Sequence, residues 1–261
     1  HLGDFARDNA DLIKGADGCL WEAGSKDIGE RHTLTMGMKG IFYVELRVKA
    51  ANRDLHSAWA SLVPNAAWRL VWALSTLKDE NDRITVDGYM DHVRAPTPDE
   101  LDALKRIPFD EDKLLADFGI KNWIGDVEGL RAHARLLYEP TCTICGIETG
   151  YTGAGSKTVL PNEAMAKVDF RLVPNLTPEV AYDLLRKHLD RRGFSDIEIT
   201  DLGSEHVARS PMDSTLVKAG IKAGETVYGH TPVLHPTAAG SGPMYVLCQQ
   251  FGIPAMSAGT G

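Results

Sequence analysis

The stretch Ile41-Phe-Tyr-Val-Glu-Leu-Arg-Val-Lys49 alternates strictly: Val44, Leu46 and Val48 fall on one side, Glu45, Arg47 and Lys49 on the other. Side chains of a strand point alternately to opposite faces, so this pattern reads as an antiparallel strand with one face on a core and the other in water. The strand signals on either side of it differ. Upstream, Asp17-Gly-Cys-Leu-Trp-Glu22 is a short apolar run ending in a carboxylate. That is the form of a parallel strand carrying a functional residue at its carboxyl end. Far downstream, Pro232-Val-Leu and Ile253-Pro-Ala-Met read as buried parallel strands around a helix over residues 242–251. Two sheets of different kind are therefore implied, the second assembled from both ends of the chain.

Between these ends the pattern is that of an α+β layer pair. Ala67, Leu70, Val71, Leu74 and Leu77 recur at helical spacing, which predicts a helix over residues 64–79 with Pro64 at its start. Residues 140–148, 163–173 and 196–202 read as strands, and Thr177-Pro178 opens a helix that stops at Gly193. Residues 80–135 are weakly patterned, and Pro96, Pro98 and Pro108 break them into short pieces. Leu216, Val217 and Ile221 suggest one more helix, weakened by Gly220.

Composition narrows the function classes. With 261 residues, 43% hydrophobic and 25% charged, the chain is globular, with room for one or two domains. Its 28 Lys and Arg against 36 Asp and Glu leave a net charge of −8, so the basic footprint of a nucleic-acid binder is missing. No stretch is long and apolar enough to span a membrane; the charge-free residues 226–261 are interrupted by Gly, Pro, His and Gln. Four cysteines fit a reducing compartment, and the chain is expected to be cytoplasmic. The first residues, with no initiator Met, basic region or apolar run, do not read as a signal peptide, and both ends are expected to be cut from a larger protein.

Several short motifs are candidates for chemistry. Cys142-Thr-Ile-Cys145 is a lone Cys-x-x-Cys, but on a strand the two thiols point to opposite faces, which excludes a shared metal or disulfide. Asp54-Leu-His56-Ser57 puts a histidine in a loop beside the sheet. Gly153-Ala-Gly-Ser-Lys-Thr158 has the residues of a phosphate loop without its spacing, and strand residues follow instead of a helix. Ala238-Ala-Gly-Ser-Gly-Pro243 reads as a small-residue turn feeding a helix, an arrangement that presents free N–H groups to an anion. Arg171 lies with Asp169 and Lys167 on the polar face of a strand, and Glu22 ends the first one.

Together these segments resemble the dimeric zinc peptidase family of aminoacylases, carnosine-type dipeptidases, carboxypeptidase G and succinyl-diaminopimelate desuccinylase, nearest to its dipeptidase branch. The likeness rests on Asp17-Gly-Cys-Leu-Trp-Glu22, Gly37-Met-Lys-Gly40, Asp54-Leu-His-Ser57, Val63-Pro-Asn-Ala-Ala-Trp68, Gly150-Tyr-Thr-Gly153, Lys157-Thr-Val-Leu-Pro161, Phe170-Arg-Leu-Val-Pro174 and Gly240-Ser-Gly-Pro-Met244, in family order.

The resemblance implies an α+β lid, an antiparallel sheet with helices on one face in the ferredoxin-like manner. This lid, residues 36–207, would be inserted between catalytic-domain segments 1–35 and 208–261, whose α/β sheet is mainly parallel. It implies hydrolysis of the amide bond of dipeptides or N-acyl amino acids by a metal-activated water, at two divalent ions, zinc or else manganese or cobalt. It implies a homodimer through the lid, with His56 donating to the oxyanion in the partner's site. Thr158, Arg171, Gly240 and Ser241 would contact substrate, and Glu22 would bind one metal. The other ligands would lie outside this chain, so by itself it is expected to hold no complete metal pair and to be inactive. The dipeptidase branch commonly carries Arg three residues before the Gly-Ser, where it binds the substrate carboxylate; here Thr237 stands there. A dimerisation or interaction module without activity of its own is the alternative from another class.

Overall fold

The computed structural model describes residues 2–24, 26, 27 and 29–259. Thr260 and Gly261, the end of the Gly-rich run that closes the sequence, lie outside the described residues. The strands are β1 (Cys19–Glu22), β2 (Thr33–Thr35), β3 (Gly37–Met38), β4 (Gly40–Lys49), β5 (Leu55–His56), β6 (Thr141–Thr149), β7 (Val159–Leu160), β8 (Glu163–Leu172), β9 (Glu198–Glu205), β10 (Ala208–Arg209), β11 (Val233–His235) and β12 (Ala255–Ala258). The α-helices are α1 (Leu2–Asp8), α2 (Ala10–Lys14), α3 (Ala66–Leu74), α4 (Pro98–Leu104), α5 (Glu111–Phe118), α6 (Gly129–Tyr138), α7 (Pro178–Arg191) and α8 (Thr215–Tyr228). They form two compact units, one of His1–Gly40, Arg94–Glu139 and Glu205–Gly261, the other of Ile41–Val93 and Pro140–Ser204.

The second unit holds the sheet β6-β8-β4-β9. Burial along β4 and β8 alternates residue by residue, with Phe42, Val44, Leu46, Val48 and Ala166, Val168, Phe170, Leu172 inside. The ring of Phe42 lies 5.8 Å from Phe170 and 6.2 Å from Tyr182 of α7. Helix α7 starts where Thr177 accepts from the Val180 N–H at 3.2 Å, and the chain turns at Gly193 with φ 77°. Helix α3 starts later than its sequence suggested, at an Asn65 cap that accepts from Ala67 and Trp68. Its buried stripe is Ala66, Leu70, Ala73 and Leu74, continued by Leu77 beyond the helix. That stripe is rotated from the expected one, because Val71 faces outward with Trp68 and Trp72.

The first unit holds the sheet β1-β12-β2-β11. Strands β1 and β12 pair parallel, as do β11 and β2, but β12 meets β2 antiparallel, so the sheet is mixed where a mainly parallel one was expected. Strand β1 is an edge, and Leu20 in its apolar run is 64% exposed. The sequence division at 36 and 207 compares with unit boundaries at 40/41 and 204/205, but residues 94–139 group with the flanks. The reason is apolar contact: Leu104 and Ile107 pack with Leu137, Tyr138 and Val233 of β11.

The glycines of α8, which weaken a helix by propensity, are explained by crowding. A Cβ on Gly220 would stand 2.6 Å from Met256 Cε, and one on Gly224 would run into the His32 ring and lie 2.8 Å from Pro232 Cγ. Gly224→Ala should therefore destabilise the fold by roughly 1–3 kcal/mol through overpacking, more than offsetting a helix-propensity gain of about 1 kcal/mol. A denaturation midpoint equal to or above that of the parent sequence would contradict this packing.

Two buried histidines make stability pH-dependent. Burial pushes His133, stacked on Phe109 at 4.6 Å, down to about 4. His188 is also held below its usual value, first by burial and then by Arg192; its Nδ1 accepts from the Asp87 N–H at 3.1 Å. A histidine whose folded value is depressed contributes stability that is full above about 6.5 and is lost as pH falls toward the folded value. Thermal midpoints should decline from pH 7 to pH 4, and replacing His133 by Phe should flatten that decline.

Candidate functional site

The His56 loop is built by two short strands. Strands β5 and β7 pair antiparallel with Leu55 opposite Leu160 and His56 opposite Val159. Two bonds secure the ends: the Ser57 N–H donates to the Thr158 carbonyl at 3.0 Å, and the Asn162 N–H to Asp54 Oδ1 at 3.1 Å. The segment after Thr158 is thus a strand, as its sequence indicated, and no phosphate loop forms.

The structure brings His56 and Thr158 together. His56 Nε2 lies 3.1 Å from Thr158 Oγ1, while its Nδ1 accepts from the Ala58 backbone N–H at 3.1 Å. A backbone N–H can only donate, so Nδ1 is bare, and in the neutral ring the proton sits on Nε2. Both side chains are exposed, so an outside acceptor could compete with Thr158 Oγ1 for the Nε2 proton.

The other expected residues lie elsewhere. Arg171 stands on the half-buried polar face of β8, ion-paired with Asp169 at 3.0 Å, and its backbone N–H donates to Thr141 Oγ1 at 3.2 Å. Gly240 and Ser241 belong to the first unit, where the Gly240 carbonyl accepts from the Lys39 N–H at 3.0 Å and Ser241 Oγ donates to the Gly40 carbonyl at 2.9 Å. The helix expected after this turn is a π-helical segment, Val246–Gln250, too short and irregular to offer the N-terminal amides of a regular helix. Glu22 is exposed at the end of β1, and among the described residues no three His, Cys, Asp or Glu are placed to hold a metal ion. The residues present therefore do not fit a metal centre by themselves.

Cys142 is buried, with its thiol pushed up to about 12 by burial, whereas Cys145 is exposed at a register shift between Ile144 and Gly146. A bulge on β6 thus separates the two thiols, and neither is placed as the partner of the other.

Sequence reading missed two cations in the first unit, Lys39, which is buried, and Arg209, which is half-buried. Lys39 is 1% exposed and donates to the carbonyls of Leu136 and Glu139 at 2.7 and 2.5 Å. Arg209 donates through Nη1 to Thr237 Oγ1 at 2.6 Å. The one available signal was a charged residue inside each of two otherwise apolar short segments, Met36-Gly-Met-Lys39 and Val207-Ala-Arg209.

Comparison with known proteins places the chain. Residues 36–196 match the model of the peptidase dimerisation domain. The Cys-Gly metallodipeptidase of Schizosaccharomyces pombe is 29% identical over 238 residues, 88% of this chain and 50% of that protein. The Beta-Ala-His dipeptidase of Rattus norvegicus is 27% identical over 78% of this chain and 42% of its own. Among solved structures, an M20 family metallo-carboxypeptidase from Sulfolobus solfataricus superposes with a TM-score of 0.92 at 38% identity, covering 99% of this chain and 59% of that one. Human carnosine dipeptidase 1 shares the fold, with a TM-score of 0.86 at 22% identity over 99% of this chain and 56% of that one. The chain spans about half the length of the curated relatives it matches. With the peptidase dimerisation domain covering more than half of its residues, this chain belongs to the M20 family of dimeric metallopeptidases.

Proposed function

We propose that the full-length parent of this chain is a metal-dependent dipeptidase acting on dipeptides or N-acyl amino acids, working as a homodimer with zinc, manganese or cobalt as its divalent ions. The observation that carries the reading is the His56 geometry: an exposed imidazole whose Nδ1 accepts from the Ala58 N–H, which leaves Nε2 as the ring's donor. Such a donor suits the charge that develops on a carbonyl oxygen during amide hydrolysis. Thr158 Oγ1 holds that nitrogen at 3.1 Å before substrate arrives, which keeps the ring aimed. Thr158, Arg171, Gly240 and Ser241 are assigned to substrate and Glu22 to one metal, with residues 36–207 as the inserted lid.

The second unit also carries a surface suited to a second copy of the chain. On α3, Trp68 and Trp72 stack at 5.9 Å and are 57% and 55% exposed, beside exposed Val71. A groove lined by Leu74, Leu77, Lys78, Cys142, Thr143 and Ile144 joins this helix to the edge strand β6, on which Ile144 and Ile147 are exposed. Exposed apolar side chains rich in Trp are what a subunit interface presents, and exposed Trp59 and Leu62 lie close to His56 in the chain. No helix among the described residues is long and apolar enough to cross a membrane.

The test is hydrolysis of a dipeptide panel by the full-length parent with zinc, manganese or cobalt supplied, and absence of turnover with all three would refute the reading. A pure interaction module is not favoured, because the relatives are hydrolases.

A further inference from the structure

Arg209 is a half-buried cation with no carboxylate in salt-bridge contact among the described residues. Its Nη1 is taken up by Thr237 Oγ1 at 2.6 Å, the Ala208 carbonyl at 3.0 Å and the Met38 carbonyl at 3.3 Å. Its Nη2 is fully buried and has no hydrogen-bond partner among the described residues. The nearby carboxylate, Glu100, is spent: both its oxygens are held by Arg94 at 2.7 Å, and one also accepts from the Thr97 N–H. Arg94 and Glu100 cancel, so the charge on Arg209 stays uncompensated. Within electrostatic range lies a second orphan, Tyr138, 3% exposed, whose Oη is also buried without a partner.

Leaving such groups unmet is costly, because a buried guanidinium needs both acceptors and a counter-charge. Water could accept the hydrogen bonds but would not balance the charge. A monoanion with two oxygens does both: a carboxylate accepts from the paired N–H groups of a guanidinium and from a phenol, and its single charge closes the account.

We propose that Arg209, assisted by Tyr138, binds the carboxylate of the peptide substrate or product. The assignment of that carboxylate to a peptide rests on the dipeptidase reading; the anion site itself does not. Thr237 is then a positioning residue, holding Nη1 so that Nη2 is turned to the ligand.

The test uses thermal denaturation of this chain with N-acetylglycine, its neutral counterpart N-acetylglycinamide, and inorganic phosphate at matched ionic strength. N-acetylglycine should raise the midpoint, and the amide and phosphate should not. Arg209→Met should abolish the response and, without ligand, should melt no lower than the parent sequence, since an uncompensated buried charge has been removed. Tyr138→Phe, which keeps the ring packing, should weaken the response several-fold. Equal responses to phosphate and N-acetylglycine, or an Arg209→Met response equal to that of the parent sequence, would overturn the site. In the full-length parent, Arg209→Met should raise KM for a dipeptide by about thirtyfold, as expected for a charged hydrogen-bonded pair, leaving a C-terminally amidated substrate unaffected. A parent that cleaves no dipeptide while this chain still shows the Arg209-dependent response retires the dipeptidase reading and keeps the site. A parent that cleaves dipeptides with KM unchanged by Arg209→Met does the reverse.

Discussion

In the full-length dimer, His56→Ala is expected to lower kcat by about a hundredfold or more, the usual cost of losing one oxyanion donor, with little change in ground-state binding. The bond from Ala58 to Nδ1 makes His56→Gln a useful companion, because an amide restores a donor without the ring's fixed direction and should recover only part of the rate. Stability should barely move, since the side chain is exposed. Complementation distinguishes a donor given across the interface from one kept within the subunit. A subunit lacking its metal ligands, mixed with one lacking His56, forms one composite site that has lost both parts and one that keeps both. Activity returning on subunit exchange supports donation across the interface, and no return would remove His56 from the partner's site.

The second large effect is on assembly. Trp68→Ala combined with Trp72→Ala removes the stacked pair from the outer face of α3. Each Trp anchor in an interface is worth roughly 2–4 kcal/mol, so the dimer dissociation constant should rise by about a thousandfold or more, at about 1.4 kcal/mol per factor of ten. Monomer stability should change little, because alanine suits a helix and the removed rings were exposed. Sedimentation should show monomers at micromolar concentration with the secondary structure intact, and turnover should fall with the dimer and return at high concentration. A double variant that stays dimeric would place the interface elsewhere.

Much of this was legible in the sequence where one physical rule acts alone. Period-two alternation at Val44, Leu46 and Val48 gave β4 its face, and Thr177 with Pro178 gave α7 its start. Reading failed where two rules compete. In α3 the apolar residues exceed what one core stripe can take, so the stripe chosen by spacing was rotated and the Trp face went unnoticed. Gly220 and Gly224 look like helix breakers until Met256 and His32, distant in sequence, are found against them. Residues 94–139 carry too little periodicity to reveal that they pack on β11. The place of His56 beside a strand was legible in its motif, whereas the unmet nitrogen of Arg209 was not, because it is a property of three-dimensional burial.

The way the two units share the chain also orders their birth. The sheet β6-β8-β4-β9 is complete once β9 has been made, whereas the other sheet pairs Thr33 with Val233 and Cys19 with Ala255. During synthesis β1 and β2 cannot pair with β12 and β11 until residues 233–258 have been made. Closing so long a loop around an unfolded segment is slow. The second unit, already folded, shortens that loop by bringing Gly40 and Glu205 close, since a Cβ on Gly40 would lie 2.6 Å from the Glu205 carbonyl oxygen. Its folding is therefore a step on which the first unit's assembly rate depends.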